Sequence, residues 1–346
     1  HTMKNRNVLA LDLAKTVIQI CKISNDGELI YNKAVSPNKL RQILAKEKES
    51  IVAMEGCGSC HYWSRLSEQY GHDTRVIAPK KVKAFLQGHK TDANDAVAIA
   101  IAATQFGMKF SQIKSEEQQT LQTLEVSRKL ISNELTSLGN HIRAYMYEYG
   151  ITSSKGKKGL RECVTDVLDT EDKRLPICLK GTLNMLWQRY KQTAEQLKMA
   201  EKEKAALVKQ LEPCKRLLDL ESVGVVSAAL LYASIGNGKS FKNGRDASVY
   251  VGVTPKQYSS GGKTYLMGID KRGGDKALRA ALFQGAFSVI HKLPEKPRTT
   301  KQAWLIKLVA RVGVKRACIA LANKTVRTAW ALLSKEQVYK ATPIAI

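Results

Sequence analysis

The chain has 346 residues and a formal net charge of +25 at pH 7. That length is sufficient for two or three domains with sizeable hydrophobic cores. After residue 255 the sequence holds 18 Lys and Arg residues but only 4 Asp and Glu residues. This excess favours a polyanionic partner, so we expect salt-sensitive binding to phosphate groups.

The apolar segments exclude several classes of protein. No run of 18 or more apolar residues is present, and the first residues lack the apolar segment of a secretory signal. The seven cysteines are odd in number and scattered, which favours reduced thiols over a disulfide framework. We therefore expect a soluble, cytoplasmic protein with no membrane partner.

The first hundred residues predict a mixed sheet flanked by helices. Apolar runs predict strands, and the turn Asn25-Asp26-Gly27 joins the second and third as a hairpin. Capping residues and apolar periodicity predict the intervening helices. The predicted strands are 7–13, 17–23, 29–35, 50–55 and 74–78, and the predicted helices are 37–48, 61–69, 80–86 and one that starts in the motif KTDANDA at 90–96.

From residue 121 the pattern changes to heptad spacing. Two such series, at 121–149 and 183–211, predict long helices that form either an antiparallel coiled-coil hairpin or an intermolecular bundle. Residues 150–181 between them include SSKGKKGLR and predict a basic, exposed loop, for which nucleic-acid contact and a solvated loop without function are equally open. We expect three domains, at 1–110, 111–213 and 214–346.

The last domain is predicted to be helical and basic. Glu212-Pro213 marks its start, and apolar helical faces recur as far as Trp330. Residues 258–263, YSSGGK, are predicted to be a polar, flexible stretch, because serine beside glycine is usual in turns.

Asp92 and Asp95 are spaced to share one face of the KTDANDA helix. Helix capping and the helix dipole explain such a pair without any chemistry, and for the pair alone that explanation is favoured. Two apolar strands, however, carry Asp12 and Glu55 near their ends. Buried carboxylates are costly unless they are paired or bound to metal, so the four acids could converge on a hard cation, Mg²⁺ or Mn²⁺.

A second candidate is Cys57-Gly58-Ser59-Cys60-His61, which matches the spacing of c-type haem attachment. That chemistry requires export, and a zinc site would need a second ligand pair that the sequence lacks. We interpret these cysteines as incidental and place His61 close to the acidic residues.

Five ordered motifs resemble the DEDD transposases of insertion-sequence family 110, particularly subgroup 1111. They are LALDLAK with Asp12, MEGCGSCHYW with Glu55, KTDANDA with Asp92 and Asp95, VGVTPKQYSSGGKTYLMGIDKRGGDKALRAALFQGA, and WLIKLVARVGVKRACIALANKTVRTAWALL. The resemblance covers nearly the whole chain.

The resemblance implies a RuvC-like ribonuclease H fold in which Asp12, Glu55, Asp92 and Asp95 bind Mg²⁺. It also implies that Ser260, before Gly261, attacks the DNA backbone and forms a transient phosphoserine link, although Ser259 is one residue away. The implied protein is a bacterial recombinase that acts near the nucleoid.

The same resemblance implies specific partners. These are donor and target DNA, a noncoding guide RNA encoded by the element, and further copies of the chain in a dimer to tetramer. One subunit's serine is thought to complete another's acidic site.

Two alternatives remain open on the sequence. One is a structure-selective endonuclease that uses the same acids with water as the nucleophile, and it predicts no covalent protein–DNA adduct. The other is a non-catalytic nucleic-acid-binding protein, which predicts no affinity for Mg²⁺.

Overall fold

The structure is a computed structural model that describes residues 6–89, 91–169, 171–269 and 273–343. The chain divides into two compact units, His1–Glu116 and Glu117–Ile346. In the described ranges no helix has both the length and the apolar character needed to cross a bilayer.

The first unit is built on a five-stranded mixed sheet with the strand order β3-β2-β1-β4-β5. Strands β1, β2 and β3 are antiparallel neighbours, whereas β4 pairs parallel to β1 and β5 pairs parallel to β4. The predicted three-stranded antiparallel start with a parallel extension is confirmed. The strands are β1 Val8–Leu13, β2 Ile18–Ile23, β3 Leu29–Val35, β4 Ile51–Glu55 and β5 Asp73–Ile77, and the helices are α1 Pro37–Lys46, α2 Cys60–Gln69, α3 Pro79–Val82 with a 3₁₀ turn at Lys83–Phe85, and α4 Asp92–Thr104.

The size of the side chains on the central strands determines how closely a helix packs against each face of the sheet. Large side chains such as Leu11 and Met54 pack with the buried leucines of α1 on one face. The opposite face presents the small side chains of Ala10 and Ala53 to the alanine-rich helix α4. The motif KTDANDA therefore begins a helix that lies directly on the central strands, and its first residue, Lys90, lies outside the described residues.

The second unit begins with long helices. They are α5 Glu116–Tyr147, α6 Gly156–Leu168 and α7 Ile177–Gln210. Helices α5 and α7 pack antiparallel within one chain, because Glu125 near the start of α5 contacts Lys204 near the end of α7, whereas Gly139 lies against Tyr190. The Glu125 carboxylate accepts hydrogen bonds from both Lys204, at 2.5 Å, and Arg128.

The prediction of a basic, exposed loop at 150–181 is wrong for the residues that form α6. Leu160, Val164 and Val167 recur at helical spacing and are buried with side chains of α5 and α7. Gly159 permits close packing, because a Cβ there would overlap Ser154. The lysines and glycines of SSKGKKGLR thus lie at the start of an amphipathic helix rather than in a loop.

The remaining helices form two further hydrophobic clusters. Their bounds are α8 Glu212–Leu218, α9 Val225–Ile235, α10 Gly244–Val251, α11 Lys276–His291, α12 Thr300–Val312 and α13 Val314–Ser334. A mixed α/β unit followed by a largely helical basic region confirms the predicted fold class.

The prediction of a flexible stretch at 258–263 is wrong. Strands β6 Pro255–Ser260 and β7 Lys263–Ile269 form an antiparallel hairpin, and both glycines of its turn have positive φ. Nearly every residue of the two strands is exposed, so no alternation of buried and exposed side chains marked them in the sequence. Glycine pairs with positive φ are the usual turn of a tight hairpin.

Candidate metal centre and nucleophile

Three of the four predicted acids meet at one end of the sheet. One carboxylate oxygen from each of Asp12, Asp92 and Asp95 lies within 4.8 Å of the others. Asp12 and Asp95 are half-buried and Asp92 is exposed, so the group is open to solvent on one side. The fold therefore unites residues that are about eighty positions apart in the sequence.

The strand and the helix place these carboxylates by different means. Asp12 is the fifth residue of β1, directly beyond the buried Leu11. Asp92 and Asp95 lie in the first turn of α4, where Thr91 is the N-cap and its Oγ1 accepts a hydrogen bond from the Asn94 amide at 3.2 Å. Thr91 performs the capping, so the need for a cap does not account for Asp92.

Glu55 is the last residue of β4, beside the position of Asp12 in the parallel register that pairs Leu11 with Met54. It lies on the same face of the sheet as Asp12, because Asp12 and Glu55 each lie two residues beyond an alanine, Ala10 or Ala53, that packs under α4. Its carboxylate is not part of the 4.8 Å group. The structure thus brings three acids together and places the fourth at the end of the adjacent strand.

Asn32, which we did not predict, holds α4 against the sheet, and Gln19 supports it. Asn32 on β3 donates from Nδ2 to the carbonyl oxygen of Ala93 at 2.9 Å, and its Oδ1 accepts from Gln19 Nε2 at 2.7 Å. Gln19 in turn pairs with Asp12 across the β1–β2 ladder. The signal in the sequence was polar residues at strand positions that face the same side as Asp12.

Like charges at this spacing favour a bound cation. Two carboxylates 4.8 Å apart repel each other by about 3 kcal/mol at an effective dielectric constant of about 20. The positive end of the α4 dipole offsets only part of that cost. An all-oxygen donor set matches Mg²⁺ or Mn²⁺ and does not match the thiolate or imidazole sites of softer metals.

The Cys57–His61 segment serves a structural role. Burial raises the pKa of the Cys60 thiol, which keeps it protonated. Burial, with Lys114 and Arg65 nearby, lowers the pKa of His61 from 6.5 to about 4, and its Nδ1 accepts a hydrogen bond from the Lys114 amide. These contacts hold the segment in place, and they do not present its thiol or imidazole as metal ligands.

Ser260 is the last residue of β6, next to the glycine turn, and it is exposed. It pairs with Lys263 across the hairpin, and Tyr258 pairs with Tyr265 two positions along on the same face. This face therefore presents a hydroxyl, an ammonium group and two exposed phenol rings. Such a surface suits a phosphodiester with flanking bases, because every base stacks on aromatic rings.

The two adjacent serines differ in their hydrogen bonds. The Ser259 hydroxyl lies 3.3 Å from Thr264 Oγ1 and also accepts from Gln257 Nε2 at 3.3 Å. Within the described ranges, no hydrogen-bond partner of the Ser260 hydroxyl is found. The two side chains also point to opposite faces of the hairpin.

Two family models match separate parts of the chain. A family model described as "Transposase", for the DEDD group of IS110, matches residues 9–151. The matched range contains the three clustered acids and Glu55. A second model, described as "Transposase IS116/IS110/IS902 family", matches residues 214–302 and contains Ser260. The first match, with the mixed sheet, supports a RuvC-like DEDD domain at the start of the chain.

Similar proteins extend over almost the whole chain. The transposase for insertion sequence element IS1111A of Coxiella burnetii is 37% identical over 98% of this chain and 93% of its own length. A probable family 20 transposase of Pseudomonas aeruginosa is 34% identical over 97% of this chain and 99% of its own length. The transposase for IS1328 of Yersinia enterocolitica is 32% identical over the same shares. The chain belongs to the IS110 family of insertion-sequence transposases.

Proposed function

We propose that the protein excises and inserts an insertion sequence by attack of Ser260 on DNA phosphodiester bonds, with a divalent metal held by Asp12, Glu55, Asp92 and Asp95. The observation that carries the proposal is the group of three carboxylates within 4.8 Å at the start of α4. Membership of a transposase family supports DNA as the partner.

In this proposal Mg²⁺, or Mn²⁺ in its place, supplies positive charge to the transferring phosphate and activates the nucleophile. Asp12, Asp92 and Asp95 would hold the ion, with Glu55 at the end of the adjacent strand as the fourth acid. Asn32 and Thr91 hydrogen-bond to the first turn of α4 and so help to hold the two aspartates in position.

Ser260 acts as the nucleophile in the same proposal. Its Oγ loses a proton and forms an ester bond to phosphorus, while the bond from phosphorus to the departing DNA oxygen breaks and that oxygen is protonated. A serine hydroxyl is a weak nucleophile without activation. Lys263, paired with Ser260 across the hairpin, supplies a positive charge close to the phosphate.

Further copies of the chain and a guide RNA complete the proposal. The basic composition suits contact with nucleic-acid backbones, and we found no recognisable base-reading motif in the sequence, which agrees with readout by RNA pairing. Sequencing the RNA that co-purifies with the protein tests this part. One discrete structured species supports guidance, and bulk cellular RNA alone refutes it.

Asp12→Asn and Asp92→Asn test the metal site. Each substitution keeps the side-chain size and removes one charge, so we expect DNA cleavage to fall by at least about a hundredfold, the upper range for disturbed metal sites, while nucleic-acid binding persists. Asp73→Asn is a matched control, since Asp73 begins β5 and contacts Arg75. Retained cleavage in Asp12→Asn contradicts the metal site.

A further inference from the structure

The second unit contains a large cleft that the metal site and Ser260 do not account for. Its volume is about 1620 Å³, and it lies between the hairpin β6–β7 and the helices α10, α12 and α13. Small-molecule pockets usually measure about 300–1,000 Å³. The cleft is therefore better matched to a segment of a polymer than to a metabolite.

The charges that line the cleft all have one sign. Among the described residues, no aspartate or glutamate lines it. Five cationic side chains do, and they are Arg245, Lys315, Arg316, Lys324 and Arg327. All five are exposed, and none forms an ion pair with a carboxylate in the described parts of the chain. Cations without acidic partners attract phosphate groups.

Helix α13 presents most of this charge on one face. Arg316, Lys324 and Arg327 lie within twelve residues, or roughly 16 Å along the helix axis. The opposite face of α13, including Leu321 and Val326, is buried in the core. The charged face is consequently held rigidly by the packing behind it.

A close contact between α10 and α13 forms one wall. A Cβ at Gly244 would lie 3.0 Å from Arg327 Cα, so a glycine at the start of α10 allows the helices to approach. Nearby, the Lys324 ammonium lies 4.7 Å from the centre of the Trp304 ring, which holds that charge at the wall of the cleft.

The other wall belongs to the hairpin that carries Ser260. Leu266 and Met267 of β7 line the cleft and are 75% and 60% exposed. Pro255 at the start of β6 also lines it, and Ser260 lies five residues further along the same strand, or roughly 17 Å away. A polymer that leaves the cleft along the hairpin therefore reaches Ser260, the proposed nucleophile.

We propose that this cleft binds a single polynucleotide strand, with its phosphates on the α13 cations and its sugars and bases against Trp304, Leu266 and Met267. A concave site lined by cations on one side and apolar groups on the other suits a single strand, whose phosphates and bases are both accessible. A duplex pairs its bases in its interior and cannot lay them against the apolar wall of the cleft. The inference rests on the proposed function for its substrate class, and it does not depend on which serine attacks.

The test is the affinity of the full chain for fluorescein-labelled 30-nucleotide single strands, measured by anisotropy in EDTA at several salt concentrations. The variant combines Arg316→Gln, Lys324→Gln and Arg327→Gln. The control combines Lys129→Gln, Lys191→Gln and Lys209→Gln, which remove the same charge from exposed positions on α5 and α7. Single-stranded DNA, single-stranded RNA and duplex DNA of one sequence form the three arms.

Each lost phosphate contact lowers the salt slope for single strands by about 0.7, so the cleft variant should lose about 2 units of slope and on the order of a hundredfold in affinity at 0.1 M salt. The control should change by less than about threefold, because scattered surface charges act weakly at this salt concentration. A loss of affinity for single-stranded DNA, for single-stranded RNA or for both supports binding in the cleft and shows which kind of strand the cleft takes.

Equal losses in the variant and the control, or a loss confined to duplex DNA, overturn the proposal. Because binding is measured without metal and without cleavage, failure of the proposed function leaves this result unaffected, and failure of the cleft leaves the cleavage tests unaffected.

Discussion

Asn32 on the edge strand β3 donates a hydrogen bond to the carbonyl oxygen of Ala93, at 2.9 Å, between the two aspartates of α4. The bond ties the first turn of the helix to the sheet that carries Asp12. Outer residues of this kind fix metal ligands in place, and their loss commonly lowers metal affinity by 10- to 100-fold, as an order of magnitude.

Asn32→Ala should therefore weaken Mn²⁺ binding by about tenfold without unfolding the protein. Isothermal titration with Mn²⁺, alongside circular dichroism, measures both effects. Lys33→Ala is the control, since Lys33 is the next residue on β3 and its ammonium group lies 4.3 Å from the centre of the Tyr31 ring. Unchanged Mn²⁺ affinity in Asn32→Ala contradicts the positioning role.

The pKa of His61 predicts a pH dependence of stability. The folded protein lowers this pKa from 6.5 to about 4, mainly by burial, so the unfolded chain binds the proton more readily. The stability that neutral His61 contributes is fully present above pH 6.5 and is lost as the pH drops toward 4. Below pH 4 this group causes no further loss of stability. The total loss is up to about 3 kcal/mol.

His61→Asn isolates this effect, because the Asn oxygen can accept the Lys114 amide hydrogen bond without titrating. Urea unfolding at pH 7 and pH 4.5 should show a smaller loss of unfolding free energy in the variant than in the wild type. Equal losses in both proteins show that His61 is not responsible.

Two helical glycines predict opposite effects on stability. A Cβ at Gly285 on α11 would overlap the carbonyl oxygen of Ser222, whereas a Cβ at Gly181 on α7 would meet nothing within 4 Å. Gly285→Ala should destabilise the protein by about 2 kcal/mol or more through overpacking. Gly181→Ala should stabilise it by about 0.5–1 kcal/mol through helix propensity.

Thermal unfolding of both variants measures the difference. A stable Gly285→Ala protein with wild-type behaviour would show that α11 and the Ser222 segment are not in close contact. The two glycines are otherwise matched, since both lie within helices of the second unit.

The sheet was predictable because local signals and burial agree there. Leu9 and Leu11 alternate with small residues on a strand that is buried on both faces, and the Asn25-Asp26-Gly27 turn fixes the hairpin that follows β2. By contrast, α6 and the β6–β7 hairpin were missed. In α6 the glycines and lysines obscured the spacing of the buried valines, and the hairpin has no buried face.

The site was predictable only in part. Asp12, Asp92 and Asp95 were expected together because strand ends and a helix start suggest one edge of the sheet, and the fold places them within 4.8 Å of one another. Asn32 escaped notice because its role depends on a contact 61 residues away along the chain. The cationic cleft also escaped, because its walls come from segments whose proximity depends on helix packing around Gly244.

The most direct test of the proposed mechanism is to identify the residue that becomes covalently joined to DNA. Trypsin cleaves after Lys256 and Lys263, which releases the peptide 257–263 with Ser259 and Ser260 as its only serines. The protein would be incubated with Mg²⁺, its co-purifying RNA and DNA that carries the element's ends, then digested with trypsin and nuclease and analysed by mass spectrometry. We predict a nucleotide on Ser260 in the wild type and in Ser259→Ala, and none in Ser260→Ala. An adduct that persists in Ser260→Ala, or cleavage without any adduct, would contradict the mechanism.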